Sequence, residues 1–162
     1  MAWMGRSLIF SLLKGFIRIK FPHVQHMTTV EFAQKLEDAA EFCPVILDAR
    51  SDKEYAVSHL AAARRVEISS YLSADQVSTE QALKEVSKHT PIVVYCSVGY
   101  RSAKVAQQLT QAGFSAVFNL EGGVFQWVNE DRFLMHNGLP TQRVHPYSAV
   151  WGALLEHRRS RI

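Results

Sequence analysis

The stretch VVYCSVGYRSAKVAQQL, residues 93–109, holds the junction from which the rest of the chain can be read. A β-branched apolar run stops abruptly at Cys96, a short turn passes through Gly99, and a helical pattern runs from Ser102 to Ala112, where Gly113 ends it. A glycine past the last periodic residue is the usual left-handed helix stop. Strand, turn and helix in that order form the repeating unit of parallel sheets.

The same unit recurs on both sides. Thr28-Thr29-Val30-Glu31 has capping-box spacing and opens a predicted helix to Ala40. Pro44–Ala49 is a short β-branched run that reads as a buried strand, and Ser51-Asp52-Lys53-Glu54 caps a short helix ending near Ser58. A weaker strand is expected at Arg65–Ile68, a helix at Ser78–Ser87 and a strand at Pro91–Cys96. Another strand follows at Ala116–Leu120, then a Gly122-Gly123 turn and a helix over Val124–Glu130. Such alternation predicts an α/β fold with a mostly parallel central sheet and helices on both faces. In these sheets the site lies beyond the carboxyl ends of the strands. Cys96 and the residues after Ala49 both sit there.

A thiol at a helix N-terminus faces unpaired N–H groups and the positive end of the helix dipole, and both favour the thiolate. Gly99 allows a curled backbone, the curl turns successive amides inward as an anion nest, Arg101 adds a fixed charge, and Ser102 can cap the helix. The expected product is a shallow cup, Cys96 to Ser102, for a sulfur anion or small oxyanion, rimmed by Val98 and Tyr100. Cys43, beside Pro44 with no glycine or basic neighbour, reads instead as a buried structural cysteine. Two chemistries use a cup of this kind: phosphoryl transfer and sulfur transfer. Cysteine phosphatases place arginine after five intervening residues, and here four separate Cys96 from Arg101. The smaller ring suits a persulfide.

The 162 residues suffice for one domain with a core. Two cysteines without C-x-x-C spacing make neither a disulfide framework nor a thiolate metal site, and a reducing, cytoplasmic setting is the simpler expectation. His23 and His26 have H-x-x-H spacing but no close acidic or thiol ligand, so no metal is expected, nor any cofactor. The net charge of +3 comes from the ends, with Arg6, Lys14, Arg18 and Lys20 in residues 1–22 and Arg158, Arg159 and Arg161 in the tail. That distribution argues against nucleic acid as a partner.

Residues 1–22 form a predicted amphipathic helix, 23–135 the main domain and 136–162 an extension with a second helix. On the first helix Ser7, Ser11, Lys14 and Arg18 share a narrow polar strip, while Leu8, Ile9, Leu12, Leu13, Phe16, Ile17 and Ile19 cover most of the rest. The run is too short for a transmembrane span and lacks a secretory cleavage pattern. It needs a large apolar partner: its own domain, a second subunit, or, through residues 1–21, a peripheral membrane contact. The tail places Tyr147, Val150, Trp151, Leu154 and Leu155 on one helical face, the natural partner for the first helix.

Three segments together resemble the rhodanese family of single-domain sulfurtransferases. LDARSDKEYAVSHLA is similar to the family's segment through Asp48, Arg50, Glu54, Tyr55 and His59. YCSVGYRSAKVAQQL is similar to its active loop, and NLEGGVFQW to its closing turn through Glu121, Gly122, Gly123 and Trp127. The resemblance covers roughly 28–131 and implies a rhodanese-like three-layer fold. It also implies sulfur transfer through a Cys96 persulfide, from a small donor such as thiosulfate to cyanide or a thiol. The loop Ser97, Val98, Gly99, Tyr100, Arg101 and Ser102 would hold the sulfur, with Asp48 and Arg50 supporting the neighbouring turn and His59 in a turn role. Ser97 and Val98 stand where two-domain thiosulfate users carry basic residues, which weighs against thiosulfate. A carrier that binds sulfur without turnover, and a phosphatase or arsenate reductase, are the alternative readings.

Overall fold

The computed structural model describes residues 2–38, 40–66 and 83–156. Its centre is a five-stranded sheet in the order β1-β5-β4-β2-β3, every neighbouring pair parallel: β1 Gln25–Met27, β2 Val45–Asp48, β3 Arg64–Arg65, β4 Ile92–Tyr95 and β5 Val117–Leu120. The β-branched run before Cys96 is thus the middle strand, and all four of its residues are buried. Successive side chains of a strand point to opposite faces. Val93 and Tyr95 accordingly join a core with Met27, Phe32, Leu120 and Phe125. Ile92, Val94 and Cys96 join the other, with Leu47, Ala103, Val105 and Leu109. Each fully buried aliphatic side chain contributes roughly 1.5–3 kcal/mol, so the two-sided burial of β4 anchors the strand end on which Cys96 sits.

Helices cover both faces. α2 (Thr29–Glu37) and α5 (Gly123–Asn129) supply Phe32, Phe125 and Val128 to the first core, and α4 (Tyr100–Gln111) supplies Ala103, Val105, Ala106 and Leu109 to the second. The capping signals hold: Thr28 Oγ1 accepts from the Glu31 amide at 3.1 Å, and both halves of the Ser51–Glu54 box are present at the start of α3 (Asp52–Val57). α4 starts at Tyr100 rather than Ser102, and Gly113 follows it with φ +93°.

Other expectations change. The helix read at Ser78–Ser87 lies outside the described residues up to position 82, and Lys84 and Glu85 form a turn rather than its last winding. Of Arg65–Ile68, only Arg64–Arg65 is strand, and positions 67 and 68 lie outside the described residues. The tail helix is a single turn, α6 (Ala149–Gly152), with Val150 exposed and Leu154 and Leu155 buried just beyond it. An additional hairpin follows the domain: β6 (Leu134–His136) pairs with β7 (Leu139–Thr141) around Asn137 and Gly138, both at positive φ. Asn-Gly between short strands is a strong turn signal. Cys43 is exposed, not buried, because it lies in the loop before β2 rather than on the strand.

α1 (Ala2–Lys20) packs on the domain in an unexpected orientation. Phe10 enters the first core, Ile17 the second, and Leu13 touches both. Its polar strip borders the domain: Ser7, Ser11, Lys14 and Arg18, all but Lys14 exposed, line an open cleft of about 590 Å³ whose far wall includes Glu121, Gln126 and Glu130. Arg18 Nε donates to Glu121 Oε1 at 2.6 Å, and Arg6 Nη1 to the Leu155 carbonyl at 3.3 Å. Most of the remaining apolar residues therefore face outward. Among the described residues, no helix is long and apolar enough to cross a membrane.

Candidate active site

β4 ends at Tyr95, and the chain curls through Cys96, Ser97, Val98 and Gly99 into α4. Gly99 is the N-cap, with φ +105°, a backbone state that glycine reaches without steric cost. Its amide donates to Cys96 Sγ at 3.1 Å, and Ser102 Oγ lies 3.5 Å from the same sulfur. The first bond of α4 runs from the Ala103 amide to the Gly99 carbonyl, so the amides of Tyr100, Arg101 and Ser102 belong to the helix's unpaired first turn.

The expected shallow cup is in fact closed. Cys96 is 1% exposed, because β4 aims its side chain at the α4 core. Of the loop amides, only that of Gly99 makes a hydrogen bond to Sγ. Val98 is buried, leaving Tyr100 at the rim. Ser102 does not cap α4. It sits in the first turn and donates to Asn119 Oδ1 at 2.6 Å, while Asn119 Nδ2 donates to the Gly99 carbonyl at 3.1 Å. Asn119 was not singled out in the sequence, although a polar residue in the apolar strand VFNL is a visible signal.

Arg101 makes a two-point fork with Glu54, Nη1 to Oε2 at 2.8 Å and Nη2 to Oε1 at 2.7 Å, and Nη2 also donates to Ser97 Oγ. Ser97 Oγ in turn donates to Glu54 Oε1 at 2.9 Å, and the Ser51 amide and hydroxyl donate to Oε2. Burial of Glu54 favours its neutral acid, but the hydrogen bonds and charge of Arg101, with those of Ser51, outweigh it and hold the carboxyl down at about 2. Burial likewise works to lower Arg101, and the Glu54 bonds and nearby negative charge raise it. The loop's cation is thus held by a carboxylate from α3, a pairing that local sequence could not reveal.

A third brace comes from α5. The amides of Val124 and Phe125 donate to the carbonyls of Cys96 and Ser97 at 3.0 and 3.1 Å. Gly123, at φ +55°, lies so close that a Cβ there would sit 2.2 Å from the Cys96 oxygen. This explains Gly123, while Gly122 is the left-handed N-cap of α5 at φ +76°.

Asp48 and Arg50 form a buried ion pair on the other side of the sheet, Nη2 to Oδ2 at 2.6 Å and Nε to Oδ1 at 2.9 Å. Arg50 Nη2 also donates to the Ser58 carbonyl at 2.7 Å, and Tyr95 OH donates to Asp48 Oδ2 at 2.5 Å while accepting from the Leu60 amide. Burial works to lower Arg50, but the hydrogen bond and charge of Asp48 raise it above its ordinary value. These contacts tie the turn after β2 to the end of β4. His59 Nδ1 lies 3.0 Å from the Leu60 carbonyl and its ring stacks on Tyr55, a turn position. At the rim, Tyr100 packs against Phe16 and Phe21, and Tyr147 lies 4.8 Å from the Arg101 guanidinium.

The family profile described as Rhodanese-like domain matches residues 28–130. A tRNA uridine(34) hydroxylase of Buchnera aphidicola is 34% identical over 96 residues, 59% of this chain and 28% of that protein. The chain thus spans under a third of the curated relatives it matches. Among solved structures, a thiosulfate sulfurtransferase of Pseudomonas aeruginosa superposes with TM-score 0.60 and 25% identity over 88% of this chain and 25% of that one. A rhodanese-like domain protein of Staphylococcus aureus does so with TM-score 0.53 and 30% identity over 70% of this chain and 99% of that one.

Proposed function

The chain belongs to the rhodanese-like domain family, and we propose that within it the protein is a sulfurtransferase working through Cys96. The observation that carries this reading is the Gly99 amide held 3.1 Å from a sulfur at the N-terminus of α4. Sulfur transfer is a double displacement on a cysteine nucleophile. The Cys96 thiolate attacks the outer sulfur of a sulfane donor, the donor's S–S bond breaks, and the leaving group departs with the bonding pair (sulfite, when the donor is thiosulfate). The new terminal sulfur carries the negative charge. The Gly99 amide and the first-turn amides of α4 are the donors available to it. Cyanide or a thiol then attacks that outer sulfur, the bond to Sγ breaks, and the thiolate returns.

Between hydroxylation and sulfur transfer, both named among the relatives above, the geometry around Cys96 supports the second. A phosphatase reading needs a ring one residue longer and an arginine able to clasp phosphate, whereas Arg101 is engaged by Glu54. That engagement, together with Ser97 and Val98 in place of basic residues, favours donors that do not present a sulfonate, such as low-molecular-weight persulfides.

The test is intact-mass measurement after incubation with thiosulfate, mercaptopyruvate or a small persulfide. The protein gains one sulfur atom and Cys96→Ala gains none; equal uptake by both excludes the assignment. With donor and cyanide both in excess, release of many equivalents of thiocyanate per chain marks an enzyme that turns over, and release of a single equivalent marks a carrier that only holds sulfur.

A further inference from the structure

The orientation of α1 leaves an unusual surface. Leu8, Ile9, Leu12, Phe16 and Ile19 all face solvent, Leu12 at 66% and Ile19 at 82% exposure. At 100° per residue they form one stripe about 100° wide along the helix. The docked side chains Phe10, Leu13 and Ile17 lie on a separate line, and the polar strip borders Glu121 and Glu130 beyond them, with Ser7, Ser11 and Arg18 exposed. Five large aliphatic or aromatic residues on one helix face exceed the scattered exposure that is normal for a surface.

Charge decides what covers them. Residues 1–22 contain four basic side chains and no acid. Lys20 is exposed beside the stripe, and Lys104 is exposed one turn after Tyr100, whose ring stacks on Phe16 at 6.3 Å. A second copy meeting this face would bring the same acid-free helix against itself. A protein partner is also a poorer match: the stripe offers no tyrosine, tryptophan or arginine anchor, the residues that dominate protein contacts, and it is convex rather than a groove. An interface of hydrocarbon beneath anionic headgroups satisfies both halves of the surface.

We propose that the outward face of α1 binds an anionic membrane surface, the helix lying in the interface with Leu8, Leu12, Phe16 and Ile19 inserted and Lys20 at the headgroups. The contact through Phe16 places the Tyr100 rim of the Cys96 loop beside the lipid plane. The proposal does not depend on the chemistry of Cys96, so either can fail alone.

The experiment is sedimentation of the full chain with vesicles of phosphatidylglycerol and phosphatidylcholine, and with phosphatidylcholine alone. The protein sediments with the anionic vesicles, binds the neutral ones less, and is released by salt. Leu12→Glu/Ile19→Glu lowers the partition about tenfold or more. Leu12→Gln/Ile19→Gln, which adds no negative charge and is the gentler change for folding, also lowers it, while circular dichroism shows each variant folded. Partition unchanged in both pairs, or no sedimentation of the parent chain, overturns the proposal. So does a parent dimer in analytical ultracentrifugation that the glutamine pair dissociates without any vesicle binding, which would assign the face to a second copy.

Discussion

Arg101 and Glu54, 47 residues apart in sequence, meet as a forked ion pair with both nitrogen–oxygen distances under 3 Å. The glutamate side chain is 2% exposed and the arginine 27%. The cation one would assign to attracting substrate is therefore a strut. It clamps the active loop to α3, and a bidentate guanidinium–carboxylate pair holds orientation as well as position.

Breaking that clamp will loosen the loop. Arg101→Lys keeps the charge but cannot make the fork, and is expected to destabilise the fold by about 1–3 kcal/mol and to slow sulfur loading of Cys96. Denaturant melts and a time course of intact mass measure the two effects. Loading as fast as in the parent chain would mean the fork does not position the loop.

Glu54 also sets an acid limit. Its folded carboxyl is held down at about 2, against 4.5 for the ordinary group. A carboxylate depressed on folding contributes stability that is full above the unfolded value and fades as pH falls toward the folded one. The window is thus pH 4.5 down to about 2, and the loss on crossing it is about 3 kcal/mol. Glu54→Gln is less stable at neutral pH and should show a flatter stability profile across this window.

Gly123→Ala tests the brace from α5. The added methyl would meet the Cys96 and Ser97 carbonyl oxygens at 2.2 and 2.6 Å in a left-handed backbone. Backbone atoms cannot yield as a flexible side chain can, so the expected cost is about 2–4 kcal/mol, with sulfur loading impaired. Gly113→Ala is the control: it too has positive φ, but nothing lies within 4 Å, so it should carry the conformational strain alone.

Tyr95→Phe removes the hydroxyl that donates to Asp48 and accepts from the Leu60 amide. Both partners are buried, so the loss should be about 1–3 kcal/mol, read as a lower thermal midpoint. A midpoint unchanged within error would show that the Asp48–Arg50 pair alone holds this turn.

Much of the fold was legible because its signals are short-ranged. The capping residues Thr28 and Ser51, the glycine stops and the β-branched runs before Asp48 and Cys96 act within a few residues, and the structure places their elements within two or three residues of the expected positions. The parallel sheet followed from their order. The Asn137-Gly138 hairpin rests on an equally local signal.

Residues 93–102 in themselves determine a sulfur at the junction of a buried strand and a helix N-terminus, with Gly99 turning its amide inward. Tertiary packing alone decided the rest: that Arg101 answers to Glu54, that Asn119 closes the loop, that Cys96 is buried to 1% exposure and that Arg18 of α1 meets Glu121. The reason is physical. Caps and turns are satisfied by near neighbours along the chain, whereas buried charges and polar side chains take whatever partners the assembled sheet brings within about 3 Å.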